Sequence, residues 1–375
     1  MNASAIDDET LGLLNASIER YGEEKYGFAA RRAHLQAAPW FSRKAWQDYA
    51  ALGWLALPRP HQQGGFANHP AALGALMRYA GETLALEPLF AGVVLCGPLL
   101  AACGDAADEH LSAFCAGRRH FALAHAEELS DGIDGAVGAQ VRAGKLNGRK
   151  TMVLHGDAAD QLIVSARNED GALGLFLVAA AEAGVRKTIC RLVDGRGAAG
   201  FEFVDATTLP LCAPGAGLPL LRETFDHARL AMCSEALGAI HVLNRDTLAY
   251  LKTRKQFGRP IGTNQVLQHR MVEMVMQEQE CAAVIEAAQR AVHLPGNLWR
   301  RAVAGAAAHV MQVGRHVSHE AVQMHGGIGM TDELAIGHYF KRIMVINRLL
   351  GDRDAHLAAF AQADAACAAA TGGTT

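Results

Sequence analysis

From Glu223 the chain reads as helix for more than 30 residues, ETFDHARLAMCSEALGAIHVLNRDTLAYLKTRKQFG, and only Gly258 and Pro260 stop it. A helix of that length needs other long helices to cover it, so the C-terminal region is expected to be a bundle, of the kind often completed across subunits. Thr263 is placed to cap a second helix running to about Val292. The stretch NLWRRAVAGAAAHVMQVGRHVSHEAVQM reads as a third, and Thr331 as the cap of a fourth. There Asp332 and Glu333 put negative charge on the positive end of the helix dipole. The alanine-rich tail AQADAACAAATGGTT is expected to fray.

Two other textures precede the bundle. Residues 1–118 are helical: Leu11, Leu14 and Ile18 share one face, and Ser42 caps RKAWQDYAAL, which Gly53 ends. The segment ALPRPHQQGGFANHP is a loop, and a further helix carries Leu73, Leu76, Met77, Tyr79 and Ala80. Residues 119–217 change period. QVRAGKLNGRKTMVLHG alternates about Asn147-Gly148, a hairpin signal, and QLIVSAR, GLFLVAA and FEFVDA are short strands. This gives an α+β multidomain chain: helices over 1–118, an antiparallel β domain over 119–217, and a four-helix bundle over 218–375.

Half of the 375 residues are hydrophobic, enough to fill two or three domain cores. The net charge of −3, with basic residues scattered, gives no stripe for nucleic acid. Eight cysteines form no C-x-x-C pair and sit among Ala, Leu and Val, as buried free thiols do; no metal site is expected. The N-terminal MNASAIDDETLGLL lacks a basic-then-apolar signal pattern. The longest apolar run, Leu89 to Gly104, holds Pro98 and falls short of the ~20 residues of a membrane span. A soluble, cytoplasmic protein is expected, with no membrane or nucleic-acid partner.

Within QMHGGIGMTDE, residues 323–333, three glycines fall in four positions. Glycine in a helical region costs roughly 1 kcal/mol against alanine, so the bare backbone needs a reason. Glycines before a helix N-terminus expose N–H groups suited to an anion. A tight helix–helix turn is the competing reading. Upstream, RKQFG sets a guanidinium at a helix end with an aromatic ring three residues on, which suits a pyrophosphate and an adenine face.

These two motifs, with FDHAR at 225–229 and the order helical, β, long-helical, resemble the acyl-CoA dehydrogenase family over nearly the whole chain. The resemblance implies FAD as cofactor, acyl-CoA as substrate and an electron-transfer flavoprotein as acceptor. It implies that Arg254, Phe257, Gln265, Gln323, Gly326 and Gly327 hold the AMP and pyrophosphate half of FAD bound mainly to a neighbouring subunit. Asp226 and Arg229 match positions beside the CoA pantetheine and the acyl pocket; a plain i,i+3 salt bridge is the alternative.

Other positions depart from the family pattern. Its T-E-P segment is His125-Ala126-Glu127 here, and its flavin-bonding Thr or Ser is Leu154. The usual glutamate base falls on Leu350 and the other base position on Ala228, both apolar. Asp352 is a weak substitute; it and Asp354 match positions that usually touch the flavin tail, with surface or capping acids as the alternative. Glu127, Glu128 and His155 lie in the flavin neighbourhood, with plain polar loop residues as the alternative. Segments such as VLHGDAADQLIVSAR and GDRDAHL resemble the small subunit of pimeloyl-CoA-type, heteromeric dehydrogenases. The expected function is therefore α,β-desaturation of an acyl-CoA beside a homologous large subunit, with a dimer as the minimum assembly. The alternatives are a self-sufficient homomeric enzyme using Asp352, and a non-catalytic subunit that binds acyl-CoA or FAD.

Overall fold

The computed structural model describes residues 8–128 and 137–372; the first half of the N-terminal signal-peptide reading lies outside them. Six helices lead: α1 (Asp8–Lys25), α2 (Phe28–His34), α3 (Arg43–Ala51), α4 (Pro70–Thr83), α5 (Gly97–Ala102) and α6 (Asp108–Cys115). Eight strands follow: β1 (Phe121–Ala124), β2 (Gln140–Arg142), β3 (Lys145–Leu154), β4 (Gln161–Arg167), β5 (Leu173–Ala179), β6 (Val185–Arg191), β7 (Gly197–Thr207) and β8 (Leu209–Pro210). The remainder is α7 (Gly217–Thr253), a hairpin of β9 (Lys255–Gln256) and β10 (Arg259–Pro260), then α8 (Gln265–Arg290), α9 (Gly296–His325), α10 (Ala335–Ile346) and α11 (Arg353–Gly372). Among the described residues no helix is long and apolar enough to cross a membrane.

The chain packs as two compact units. Within the described residues, the first draws on 8–17, 29–73, 86–128 and 137–228. Ser42 caps α3 through its Oγ, which accepts the Ala45 N–H at 3.1 Å, and Gly53 beyond the helix takes φ +79°. The helix buries Trp46 and Tyr49 three positions apart; Trp46 meets Phe114 edge-on at 6.0 Å and Tyr49 stacks on Trp54 at 4.8 Å. The sheet runs β6-β7-β3-β2-β4-β5-β8, with β1 added in parallel to β4. Leu146, Leu162, Val164, Phe201 and Phe203 fill its core.

The β2–β3 turn sits at Ala143-Gly144, both at positive φ, and not at Asn147-Gly148. Gly148 lies inside β3 at a register shift against β7, at φ +142°, where a Cβ would meet the Ala139 Cα at 2.7 Å. Its glycine serves a bulge and a close approach rather than a turn.

Within the described residues, the second unit draws on 18–28, 74–85 and 229–372. Here α4 and α7 touch backbone to backbone: a Cβ on Gly81 would overlap the Glu235 carbonyl, and one on Gly238 the Arg78 carbonyl. Glu235 of α7 and Arg342 of α10, both almost wholly buried, form a two-pronged ion pair at 2.6 and 2.7 Å. Glu278 of α8 takes His241 at 2.8 Å and Asn244 at 2.7 Å, both from α7.

Several helix ends differ from expectation. The long helix stops at Thr253; Phe257 and Gly258, at φ +51° and +80°, then turn a hairpin. Thr263 does not cap α8, because its hydroxyl donates to the Pro260 carbonyl; Asn264 stands at the cap, and its Oδ1 accepts from Arg259. Thr331 likewise donates to the Ile328 carbonyl, and α10 starts only at Ala335. The tail does not fray at once: α11 carries it to Gly372. Only three cysteines, Cys96, Cys233 and Cys281, are buried; Cys190 is exposed and the other four are half-buried.

Candidate functional site

In the second unit, the RKQFG and glycine-run segments come to the same end. Tyr250, one turn before Arg254, stacks on His325 with ring centroids 4.3 Å apart. The Tyr250 hydroxyl donates to the His325 carbonyl at 3.3 Å. Gly326 follows His325 directly. Arg254, Gln265, Gln323, Gly326 and Gly327 are all exposed, and Phe257 stands fully clear of its own chain at the hairpin tip. Gln265 is the first residue of α8. Leaving the largest ring of the segment in water is costly unless something else covers it.

The three glycines have three roles. Gly326 takes φ +63° and ψ −147°, a conformation side chains rarely adopt, and turns the chain out of α9. Gly329 is buried; a Cβ there would come within 3.0 Å of the His325 Cβ and the Val322 carbonyl, so it serves packing. Gly327 has no strained angle, and a Cβ there would meet nothing within 4 Å. Its bareness serves nothing inside this chain and leaves the backbone approachable from outside. These features fit the AMP and pyrophosphate half of FAD, a flat base and a paired anion.

The first unit does not offer the same fit to the flavin ring. Leu154 is half-buried at the end of β3 and has no hydroxyl to donate. Met152, in the bulge before it, takes φ +49° and is exposed. His125 places Nδ1 2.8 Å from the Ser165 Oγ and its ring 5.5 Å from Phe225. Lys150, with no exposed side-chain surface, donates to Glu127 at 2.8 Å, to the His125 carbonyl at 2.9 Å and to Ser165 at 3.2 Å. Burial alone would raise the Glu127 carboxyl. Bonds from Lys150, Ala139 and Gly138 outweigh it and hold the group below the usual range. Glu127 is thus an ionised structural partner. Glu128 is exposed, and His155 is buried edge-on to Phe41 at 6.1 Å.

Sequence reading missed the Lys150 network. A lysine on the inward phase of an alternating strand is the signal that would have found it.

Neither base position carries an acid. Ala228 is wholly buried in α7, and Leu350 is half-buried at φ +56°. Asp352, exposed just before α11, accepts the Ala355 N–H at 3.0 Å and lies 3.6 Å from Arg348. That N–H, then Arg348, hold its carboxyl below the ordinary value, the opposite of what a proton acceptor needs. Asp354 is exposed beside Arg353. Asp226 is buried and Arg229 half-buried, both on α7. His356 is buried near Gly351; burial, then the Arg229 charge, push its imidazole down to about 4, so it is neutral near pH 7.

Residues 215–363 match the family model described as acyl-CoA dehydrogenase, C-terminal domain. The chain is 27% identical to acyl-CoA dehydrogenase FadE27 of Mycobacterium tuberculosis, over 80% of this chain and 82% of that one. It is 28% identical to acyl-CoA dehydrogenase IpdE2 of the same organism, over 88% of this chain and 89% of that one. Among solved structures, a Tcur3481-Tcur3483 steroid ACAD variant superposes with a TM-score of 0.85 at 27% identity, covering 96% of this chain and 99% of that one. PigA, solved with FAD and proline, shares the fold with a TM-score of 0.85 at 21% identity, covering 96% of this chain and 98% of its own. Residues 215–363 thus match the C-terminal domain of the acyl-CoA dehydrogenases, and the helical, β and helical parts of the chain have the acyl-CoA dehydrogenase fold. The family's enzymes are FAD-dependent oxidoreductases.

Proposed function

We propose that this chain supports α,β-desaturation of an acyl-CoA thioester as the FAD-completing small subunit of a heteromeric dehydrogenase. One contrast carries the reading. The residues assigned to the AMP and pyrophosphate of FAD lie open at one end of the second unit, while both positions for the base are apolar. The relationship to the Tcur3481-Tcur3483 steroid ACAD, named for a pair, supports a partnered arrangement. The three-part division at 118 and 217 belongs to the same reading.

Bound FAD supplies the hydride acceptor for the thioester Cβ. In this proposal Arg254 neutralises pyrophosphate charge, Phe257 offers its ring to the adenine, and Gln265 and Gln323 supply amide hydrogen bonds. Gly326 and Gly327 let the backbone approach. Asp226 and Arg229 serve the CoA pantetheine. The homologous large subunit contributes the carboxylate base and the flavin-ring contacts, and an electron-transfer flavoprotein takes the electrons. An exposed apolar face on α8, Val272, Val275 and Met276 at helical spacing, supports burial against another subunit. The self-sufficient alternative rests on Asp352, which its capping bond and lowered pKa disfavour.

Gly327→Val tests the cofactor assignment cleanly, since the new side chain meets no atom of this chain. Flavin content of the assembled complex should fall several-fold while the circular dichroism spectrum stays unchanged. Wild-type flavin occupancy in the variant complex would defeat the assignment.

A further inference from the structure

Cys103 closes α5 as its C-terminal cap residue, and Cys212 lies in the turn after β8 that leads into α7. Both belong to the first unit and both are half-buried. They line one open cleft of about 380 Å³, together with Leu175, Phe176 and Pro210. Their side chains face the same cleft close enough for the two thiols to interact, beside the Leu175 backbone. Two thiols in contact within a cleft open to small molecules make up the geometry of a thiol–disulfide exchange site. We propose that Cys103 and Cys212 form a reversible disulfide, with a low-molecular-weight disulfide such as oxidised glutathione as oxidant.

The two sulfurs are unequal, which assigns their roles. The neighbouring Cys103 thiol, opposed by burial and aided by the Leu175 backbone, brings the Cys212 thiol down from its ordinary value. The same contact and burial push Cys103 up. Near pH 7 the thiolate therefore resides on Cys212, the attacking form. It attacks one sulfur of the glutathione disulfide; that S–S bond breaks and one glutathione leaves as thiolate. Cys103 then gives its proton to solvent and attacks the Cys212 sulfur of the mixed disulfide. The second glutathione leaves. Two protein thiols lose two electrons, and one glutathione disulfide becomes two glutathiones. The bond ties the end of α5 to the turn entering α7, the helix that carries Asp226. Buried Cys96 and Cys233, whose thiols burial pushes up, are shielded from this chemistry.

The test equilibrates the full-length protein in glutathione buffers of graded redox ratio, quenches by alkylation and maps peptides by mass. The expected product is a single internal linkage joining the Cys103 and Cys212 peptides, lost on return to reducing buffer. Cys103→Ser should instead retain glutathione on Cys212, and Cys212→Ser should leave Cys103 alkylatable. Alkylation of Cys212 in the reduced protein should set in at lower pH than that of an ordinary thiol. In the wild-type protein, two outcomes would overturn the proposal: both thiols still alkylatable under oxidising buffer, or glutathione resting on Cys212 without internal closure. The wild-type mapping decides the matter even if a variant fails to fold.

Discussion

The purified chain alone, supplied with FAD and an acyl-CoA, is expected to show little or no α,β-dehydrogenation. Removal of the α-proton needs a positioned acceptor, and such a group contributes typically 10²–10⁴-fold. In the proposed reading Leu350 and Ala228 stand where that acceptor would be, and neither side chain can take a proton. Asp352 cannot substitute: its carboxylate already accepts the Ala355 N–H and is held below the ordinary range, which makes it a weaker base. Leu350→Glu should not restore turnover in the isolated chain. The new acid would stand without the flavin contact that Leu154 fails to supply, and the Lys150–Glu127–Ser165 network is built for packing. Stopped-flow bleaching of flavin absorbance on acyl-CoA addition checks both statements.

The second large effect concerns stability. Arg342→Met should destabilise the protein by about 3–5 kcal/mol, because it leaves Glu235 buried against a neutral side chain. Glu235 and Arg342 are 1% and 3% exposed, so water cannot take over the lost partner. The double change Glu235→Leu with Arg342→Met should recover a large part of the loss, since an apolar pair carries no desolvation penalty. Urea denaturation of the three variants gives the values. A loss below about 1 kcal/mol for the single change would place this pair among ordinary surface bridges.

The order of helical, β and helical parts was legible because residue periodicity is a local property. Ser42 and its contact to Ala45 show that a cap three residues from its target reads directly. Asn147-Gly148 misled because a left-handed glycine serves a bulge as well as a turn, and only the approach of Ala139 distinguishes the two. Thr263 and Thr331 misled for a related reason. Each hydroxyl found a carbonyl three residues back, a choice that depends on how the preceding turn folds. The extension of α7 to Gly258 failed because helix formers such as Lys255 and Gln256 were drawn into the hairpin closed by Phe257 and Gly258.

The RKQFG and glycine-run motifs were legible as short strings. The partners of buried charges were not: Lys150 and Glu127 are 23 residues apart, and Glu235 and Arg342 are 107 apart. Cys103 and Cys212 were read as ordinary buried thiols for the same reason, since sequence carries no sign that α5 and the turn before α7 meet.

Under the proposed function, this chain completes a partner's flavin site and lacks a working one of its own. The most direct measurement is flavin content and acyl-CoA turnover of the chain purified alone and co-purified with a homologous large subunit. Colourless, inactive protein is expected alone, and a yellow, active complex whose flavin is lost with Gly327→Val in this chain. Stoichiometric flavin and robust turnover in the isolated chain, abolished by Asp352→Asn, would contradict it.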